Sequence, residues 1–267
     1  MPRAALDNRA KIETIAVTGT ETRPGQGGEL RGMTYQATLD GQRNRPVHAL
    51  FFACAGLAVL GSLLATSDDS HWRWMHYLTK PTATLLLLVV VLRTLSHRSS
   101  AYAWAVAIGL VFAAAGDVFL MLPGDYFLAG LVCFLLTHCA YIYALTRDAK
   151  FAESKGIFAA FALMALAVVG GLWTSLPEAM RIPVIIYALA LGAMAAQAIS
   201  RARQLSGTPE ATAARFAAYG GLLFMISDSI LAYGRFRFAI PFNALWVLGT
   251  YYAAQWLFAR STDDRIR

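Results

Sequence analysis

Residues 101–122, AYAWAVAIGLVFAAAGDVFLML, have the length and the composition of a membrane-spanning helix. Such a helix needs roughly 20 mostly apolar residues. The run is too long and too continuously apolar for a strand of a membrane barrel, in which apolar and polar residues alternate. One acid, Asp117, interrupts it. The stretch therefore predicts a transmembrane helix that carries a carboxyl group into the membrane.

Seven further runs of the same kind lie on either side of this stretch, joined by short connections with turn residues such as Pro123-Gly124-Asp125. Because only helices and closed barrels satisfy their backbone in lipid, we expect an all-α, multi-pass integral membrane protein with eight transmembrane helices. The second run is the least typical, since Lys80 interrupts its start. The predicted spans are 46–66, 75–95, 101–122, 126–146, 156–176, 181–200, 214–234 and 241–260.

The overall composition agrees with a membrane protein. Of the 267 residues, 57% are apolar and 15% are charged, against about 45–50% and about 25% in soluble domains. The mean hydropathy is +0.50. A formal net charge of +7 is typical of proteins that bind nucleic acid or a membrane surface. The apolar content favours the lipid bilayer as the partner, and no binding of nucleic acid is expected. The three cysteines lie in apolar runs and predict no disulfide framework.

The basic residues predict an orientation. Of the 23 Lys and Arg residues, 18 fall on the side that an eight-span chain gives to both termini, and 5 fall on the other. Because cytoplasmic loops carry the excess of Lys and Arg, both termini are predicted to be cytoplasmic, in the cell membrane or, in a Gram-negative cell, the inner membrane. The domains expected are a flexible cytoplasmic tail (1–45), an eight-helix transmembrane domain (46–260) and a short cytoplasmic tail (261–267).

The two halves of the transmembrane domain share a pattern. The third and seventh spans carry similar segments, 109–117 and 221–228, each of which ends in an acid. Thr137-His138 in the fourth span and Thr250-Tyr251 in the eighth each lie ten residues before an arginine. Two tandem four-helix repeats would be parallel and would place a site at their interface. Low-complexity apolar sequence also aligns without duplication, so both origins stay open.

Two acids, Asp117 and Asp228, lie inside predicted spans. Each costs about 2.5–3.5 kcal/mol at a helix centre, which favours a functional role. One alternative is a structural ion pair between Lys80 and one of these acids, together with hydrogen bonds between helices. That alternative leaves the second carboxylate unexplained. Other polar residues are predicted at the same depth or deeper: Lys80, Tyr187, Asn243, His138, Tyr251, Tyr252 and Gln255.

Four motifs resemble those of one family. Lys80-Pro81, Gly116-Asp117, Ser227-Asp228 and Tyr251-Tyr252-Ala253-Ala254-Gln255, set in eight spans, resemble the YhhN family, the bacterial branch of the TMEM86 lysoplasmalogenases. The resemblance covers about residues 47–260 and is most specific over 220–255. It implies hydrolysis of the vinyl ether bond of a lysoplasmalogen, a lysophospholipid, to a fatty aldehyde and glycerophospho-ethanolamine or -choline.

The residue types suit that chemistry. A vinyl ether is cleaved by protonation of its β-carbon, which leaves an oxocarbenium ion that water captures. Burial favours the protonated form of a carboxyl group, and a second carboxylate can stabilise the cation and position water. Asp117 and Asp228 are the predicted catalytic pair, and the sequence leaves open which one is the acid. The substrate-binding residues expected are Lys80, Tyr187, Asn243, His138, Tyr251, Tyr252, Gln255 and Arg235.

No metal or cofactor is expected, since the chain has no H-E-x-x-H or Walker motif and four of its five histidines lie at span ends or in loops. The rival function is a membrane transporter or channel for a small or lipid-like substrate, because parallel repeats with buried charges are common in that class. The predicted position of the charges near one surface favours the enzyme. A non-catalytic scaffold would leave the buried acids unexplained. Head-group preference and oligomeric state stay open.

Overall fold

The computed structural model describes residues 26–65, 70–97 and 100–263, with side chains over 44–65, 71–95 and 100–263. These ranges contain eight α-helices. In chain order they are α1 (Gln26–Leu64), α2 (Ser70–His97), α3 (Ala101–Met121), α4 (Phe127–Leu145), α5 (Lys155–Leu172), α6 (Glu178–Gln204), α7 (Ala211–Phe236) and α8 (Asn243–Arg260).

Every predicted span corresponds to one of these helices. Apart from the start of α1, each helix end lies within five residues of the predicted one. Lys80 and Pro81, at which the second span looked weakest, lie inside the continuous helix α2. The expectation of an all-α, multi-pass membrane protein is therefore confirmed.

Seven of the eight described helices are long and apolar enough to cross a membrane, judged by length and composition alone. The eighth predicted span, α8, falls outside that group. It has 18 residues, and several of them are polar, among them Asn243, Tyr251, Tyr252 and Gln255. The residues that lower its hydropathy thus include four that the sequence assigns to the site.

Helix α1 begins at Gln26, inside the segment 1–45 that its composition predicts as a flexible tail. Residues 26–45 are helical because a helix requires adequate propensity rather than an apolar stripe, and Gln, Leu, Met, Ala and Arg have that propensity. Residues 1–25 and 264–267 lie outside the described residues. The flexibility of residues 1–25 and the cytoplasmic location of the two tails stay predictions.

Glycines bring α3 and α4 into close contact. At Gly116, a Cβ atom would lie only 2.7 Å from the ring of Phe134 on α4, and Gly109 faces Tyr141 in the same way. Small residues that let neighbouring helices approach are typical of membrane helix interfaces. The Phe134 ring therefore lies against the backbone of α3 immediately before Asp117.

The two halves of the helical domain meet along three helix pairs, α4 against α6, α2 against α8 and α3 against α8. Within the halves, α3 packs on α4 and α7 packs on α8. Helix α3, which bears Asp117, thus touches α8 in the other half. Helix α7, which bears Asp228, meets α4 in the other half through Phe224, whose ring packs against Phe134 and His138. This arrangement can bring side chains from both halves to each acid.

A buried ion pair anchors the connection between α4 and α5. The guanidinium of Arg201, on α6, is fully buried and donates to both carboxylate oxygens of Asp148, over 2.7 and 2.6 Å. It also lies over the ring of Tyr102, 4.7 Å from its centroid. The predicted sixth span ends at Ser200 and leaves Arg201 in a loop, whereas α6 continues to Gln204. Asp148 makes the burial of this charge possible, because it supplies a matching pair of acceptors.

Candidate active site

Asp117 lies one helical turn before the end of α3 and is only 1% exposed. Its Oδ2 accepts hydrogen bonds from Thr84 Oγ1 at 2.6 Å and from the hydroxyl of Tyr251 at 2.8 Å. Its Oδ1 lies 3.7 Å from the ammonium Nζ of Lys80. Both oxygens therefore face donors, as a buried carboxylate requires.

The spacing of residues on α2 explains two of these partners. Lys80 and Thr84 are four residues apart, so they lie on one face of the helix. The hydroxyl of Tyr252 donates to the backbone carbonyl of Lys80 at 3.3 Å. Tyr251 and Tyr252, both on α8, thereby hold α2 beside Asp117.

Asp228 on α7 has a different set of neighbours. Its Oδ2 accepts a hydrogen bond from the hydroxyl of Tyr187 on α6. Nε2 of His138, on α4, lies 3.0 Å from that same hydroxyl and 3.8 Å from Asp228 Oδ2. His138 is fully buried, and its ring packs edge-on against Phe224 with centroids 4.9 Å apart. The side chain of Asp228 is 12% exposed.

The partners of the two acids cross between the halves of the domain. Asp117 is held from α2, in its own half, and from α8, in the other half. Asp228 is held from α6, in its own half, and through Tyr187 from α4, in the other half. Each acid therefore depends on both halves for its hydrogen bonds.

Both acids line one cavity of about 260 Å³, which we call the polar cavity. Its wall also carries an ammonium group, a guanidinium group and a carboxamide, those of Lys80, Arg235 and Asn243. Oδ1 of Asn243 is buried and has no hydrogen-bond partner among the residues that the structure describes. The other lining residues are Ser62, His76, Leu120, Phe127, Phe134, Ser227, Leu231, Ala244, Val247, Leu248 and Tyr251.

A second cavity, the apolar cavity, adjoins the first among α4, α5, α6 and α7. Its polar lining residues are Tyr187, Asp228 and Ser229, and the other lining residues are apolar. Five residues line both cavities, and Asp228 is the one polar residue among them. The five are Leu120, Phe127, Phe134, Asp228 and Leu231. The carboxyl group of Asp228 therefore lies where a polar compartment meets an apolar one.

An ion pair borders the polar cavity near the α3–α4 connection. Nη2 of Arg235 lies 2.8 Å from Oδ1 of Asp125, and both side chains are substantially exposed. The guanidinium also lies 5.3 Å from the ring centroid of Phe127, whose ring packs edge-on against Phe236 at 5.2 Å. A third cavity of about 310 Å³ is lined by Asp125, Phe127 and Arg235 among others. Arg235 thus borders two cavities and can meet an anion from either.

The cavities offer carboxyl, ammonium, guanidinium and amide groups. In the part of the chain that the structure describes, no three His, Cys, Asp or Glu side chains come together closely enough to hold a metal ion. Lys80 and Arg235 can pair with a phosphate, and a planar guanidinium can do so through two parallel hydrogen bonds.

The predicted site residues divide into three groups by position. Lys80, Asn243, Tyr251 and Arg235 line the polar cavity with the two acids, and Tyr187 lines the apolar cavity. His138, Tyr252 and Gln255 lie behind the cavity walls. Gln255 is fully buried, and its Oε1 accepts a hydrogen bond of 2.5 Å from the Tyr141 hydroxyl. The catalytic and binding roles of all these residues stay predictions.

Several residues that line the site or bond to its acids were not predicted from the sequence. Thr84 donates to Asp117, and its position four residues after Lys80 is a signal that helical spacing could have revealed. Ser62 and His76 line the polar cavity from α1 and α2. No motif marks them, and their placement follows only from how these helices pack.

Comparison with known proteins places the chain in a family and gives named relatives. The YhhN family model matches residues 75–262. A human protein named lysoplasmalogenase TMEM86A is 33% identical over 171 residues, which is 64% of this chain and 68% of that protein. A pig protein named lysoplasmalogenase TMEM86B is 30% identical over 80% of this chain and 84% of that protein. A Mycobacterium bovis protein named lysoplasmalogenase is 34% identical over 55% of each chain. No solved structure matches the chain.

Proposed function

Because the chain belongs to the YhhN family, we propose that it is a membrane hydrolase that cleaves the vinyl ether bond of a lysoplasmalogen. The products are a fatty aldehyde and a glycerophospho-ethanolamine or -choline. The similarity to proteins named lysoplasmalogenase, from mammals and a mycobacterium, supports this substrate class.

The position of Asp228 between the polar and apolar cavities carries the proposal. A lysoplasmalogen has a polar glycerophosphate head and one long alkenyl chain, and the vinyl ether joins the two. With the head in the polar cavity and the first carbons of the chain in the apolar cavity, which has a volume of about 60 Å³, that bond lies next to Asp228 and the rest of the chain extends between the helices. A pocket that is mostly apolar with a few converging polar groups is the usual form of a small-molecule site.

The two carboxyl groups supply an acid–base mechanism. A carboxylic acid donates its proton to the β-carbon of the vinyl ether, and the electron pair of the double bond forms the new C–H bond. The oxocarbenium ion that results is stabilised by the second carboxylate, as in glycosidases. Water adds to this cation and gives up a proton to a carboxylate. The hemiacetal then breaks its bond to the glycerol oxygen, which takes up the hydroxyl proton as the aldehyde forms.

The direct test uses purified protein and a lysoplasmenyl-ethanolamine, with aldehyde release as the readout. We expect stoichiometric aldehyde and glycerophosphoethanolamine. The matched control is the saturated 1-alkyl ether of the same chain length, which binds but has no double bond to protonate. Absence of aldehyde, together with uptake of a solute or flipping of the lysolipid in liposomes, would contradict the hydrolase and favour the transporter.

Arg235 is expected to bind the substrate phosphate. The change Arg235→Gln should raise KM for the lysolipid about tenfold, since a charge-assisted hydrogen bond contributes roughly 1.5–3 kcal/mol and this side chain is half exposed. Arg237→Gln is the matched control, because Arg237 is also an arginine near the end of α7 but lines none of the three cavities described above. Equal KM values for the two variants would remove Arg235 from the phosphate site.

The orientation in the membrane has its own test. The charge distribution supports cytoplasmic termini, so a reporter fused after Arg267 should be cytoplasmic. A reporter inserted in the 123–125 turn, where Gly124 has φ +127°, should be external. The measurement is activity of a compartment-specific reporter enzyme. A signal from the same side at both positions would contradict the proposed orientation.

A further inference from the structure

We propose that Asp228 is the proton donor of the reaction and that Tyr187 and His138 are positioning residues that keep its proton on Oδ1. Asp117 is then the permanent carboxylate, held by Lys80, Thr84 and Tyr251. This assignment deepens the proposed hydrolase function and rests on it. It names the acid, which the residue types leave open.

Burial alone would favour a protonated Asp117, but the three donors around its carboxyl group favour the ionised form. Oδ2 already accepts two hydroxyl hydrogen bonds, of 2.6 and 2.8 Å, and Oδ1 faces the ammonium of Lys80. Donors on both oxygens stabilise the ionised form of a carboxyl group. A side chain that is 1% exposed and held in this way can stabilise a nearby cation without reorganising. Asp117 therefore suits the role of the counter-charge to the oxocarbenium ion.

The surroundings of Asp228 have the opposite character. Its Oδ2 accepts the hydroxyl proton of Tyr187, so a protonated Asp228 must carry its own proton on Oδ1. Among the described residues no hydrogen bond or ion pair involves Oδ1, and no Lys or Arg lies within salt-bridge distance of this carboxyl. Oδ1 is thus available to a substrate in the cavities that Asp228 lines.

The contact with His138 shows which way the hydrogen bonds run along His138, Tyr187 and Asp228. Tyr187 has one hydroxyl proton, which it gives to Asp228, so the 3.0 Å contact requires a hydrogen on Nε2 of His138. The other ring nitrogen, Nδ1, is buried without a hydrogen-bond partner in the described part of the chain. A neutral imidazole with its hydrogen on Nε2 fits this environment, whereas a charged ring would bury an unpaired N–H. The chain therefore runs from His138 to Tyr187 to Asp228 Oδ2.

Asp228 loses one proton and regains one proton in each turnover. It gives the Oδ1 proton to the β-carbon as the C–H bond forms, and it becomes a carboxylate. The same carboxylate takes a proton from the water that adds to the oxocarbenium carbon. Breakdown of the hemiacetal moves the hydroxyl proton to the glycerol oxygen, so Asp228 ends the cycle protonated. One water is consumed, and no other reactant is needed.

The test compares single hydroxyl deletions beside each aspartate. Tyr187→Phe misplaces the acid, so kcat for a lysoplasmenyl-ethanolamine should fall by roughly 10²-fold while KM and the inhibition constant of the saturated ether stay unchanged. The solvent deuterium isotope effect on kcat should rise, because proton transfer to carbon then limits the rate. Tyr251→Phe removes one donor from Asp117, which keeps Thr84 and Lys80 as partners, and it should lower kcat less than Tyr187→Phe does. Tyr219→Phe, on α7 with a 58% exposed ring, should match the wild type.

His138 variants provide the second arm. His138→Phe should reproduce the Tyr187→Phe result, and His138→Gln should recover part of kcat because its amide can still donate to Tyr187. A wild-type kcat in Tyr187→Phe, or a larger loss of kcat in Tyr251→Phe than in Tyr187→Phe, would overturn the assignment and leave the hydrolase intact. Wild-type protein that releases no aldehyde would overturn the hydrolase proposal and this assignment together.

Discussion

Asp228→Asn and Asp117→Asn should each abolish aldehyde release while the protein still inserts and folds. The amide closely matches the carboxyl group in shape, so the packing around each residue is kept. It cannot donate a proton to carbon or balance the charge of an oxocarbenium ion. Loss of a general acid alone lowers the rate by about 10²–10⁴-fold. The measurement is kcat for a lysoplasmenyl-ethanolamine at saturating substrate.

Glu178→Gln is the matched control for these two variants. It makes the same carboxyl-to-amide change at a side chain that is 90% exposed, and turnover should be unaffected. Yield and thermal unfolding of all three variants in the same detergent show whether the fold is retained. Full turnover in either Asp→Asn variant would return that aspartate to a structural role.

Asp148→Ala should lower the free energy of unfolding by about 3 kcal/mol. The change removes both acceptors of the fully buried Arg201 guanidinium, and an unpaired buried charge costs roughly 3–5 kcal/mol. The lower end applies because the Asp148 side chain is 32% exposed. The measurement is reversible unfolding in detergent micelles, followed by circular dichroism.

Two further variants sharpen this prediction. Asp125→Ala breaks an ion pair whose side chains are 46% and 76% exposed, and it should cost under about 1 kcal/mol. The double change Asp148→Ala with Arg201→Met removes the buried charge as well, so stability should return in part. Equal losses for Asp148→Ala and Asp125→Ala would contradict a special role for the buried pair.

The helices of this fold were predictable because each one needs an apolar run of fixed minimum length. Residues 101–122 correspond to α3 almost residue for residue. The end of α6 was less predictable, since Arg201 resembles a loop charge until Asp148 is known to lie beside it. The start of α1 was missed, because 26–45 has helix propensity but no apolar period. Helix propensity therefore accounts for the largest boundary error, at the start of α1, and ion pairing accounts for the error at the end of α6.

The sequence predicted that the two acids share one cavity, but it did not predict in which direction around its helix axis each polar side chain points. Asp117 and Asp228 stood out because acids are costly in lipid, and they do line one cavity. Gln255 is on the same helix as Tyr251 but contacts Tyr141 behind the wall. The contact between Tyr187 and Asp228 joins α6 to α7. No pattern along the chain reports which residues meet across helices, so the different surroundings of the two acids could not be predicted.

The crossed hydrogen bonds of the two acids make the halves of the domain mutually dependent. Suppose that the chain is cut in the 146–154 connection. The first fragment would keep Asp117, Thr84 and His138, and the second would keep Tyr187, Asp228 and Tyr251. Neither fragment could assemble one complete carboxylate environment. The two halves exchange equivalent contacts across a shared interface, as the two subunits of a symmetric dimer do. Two fragments expressed together would therefore have to reassociate before either acid regained its full set of partners.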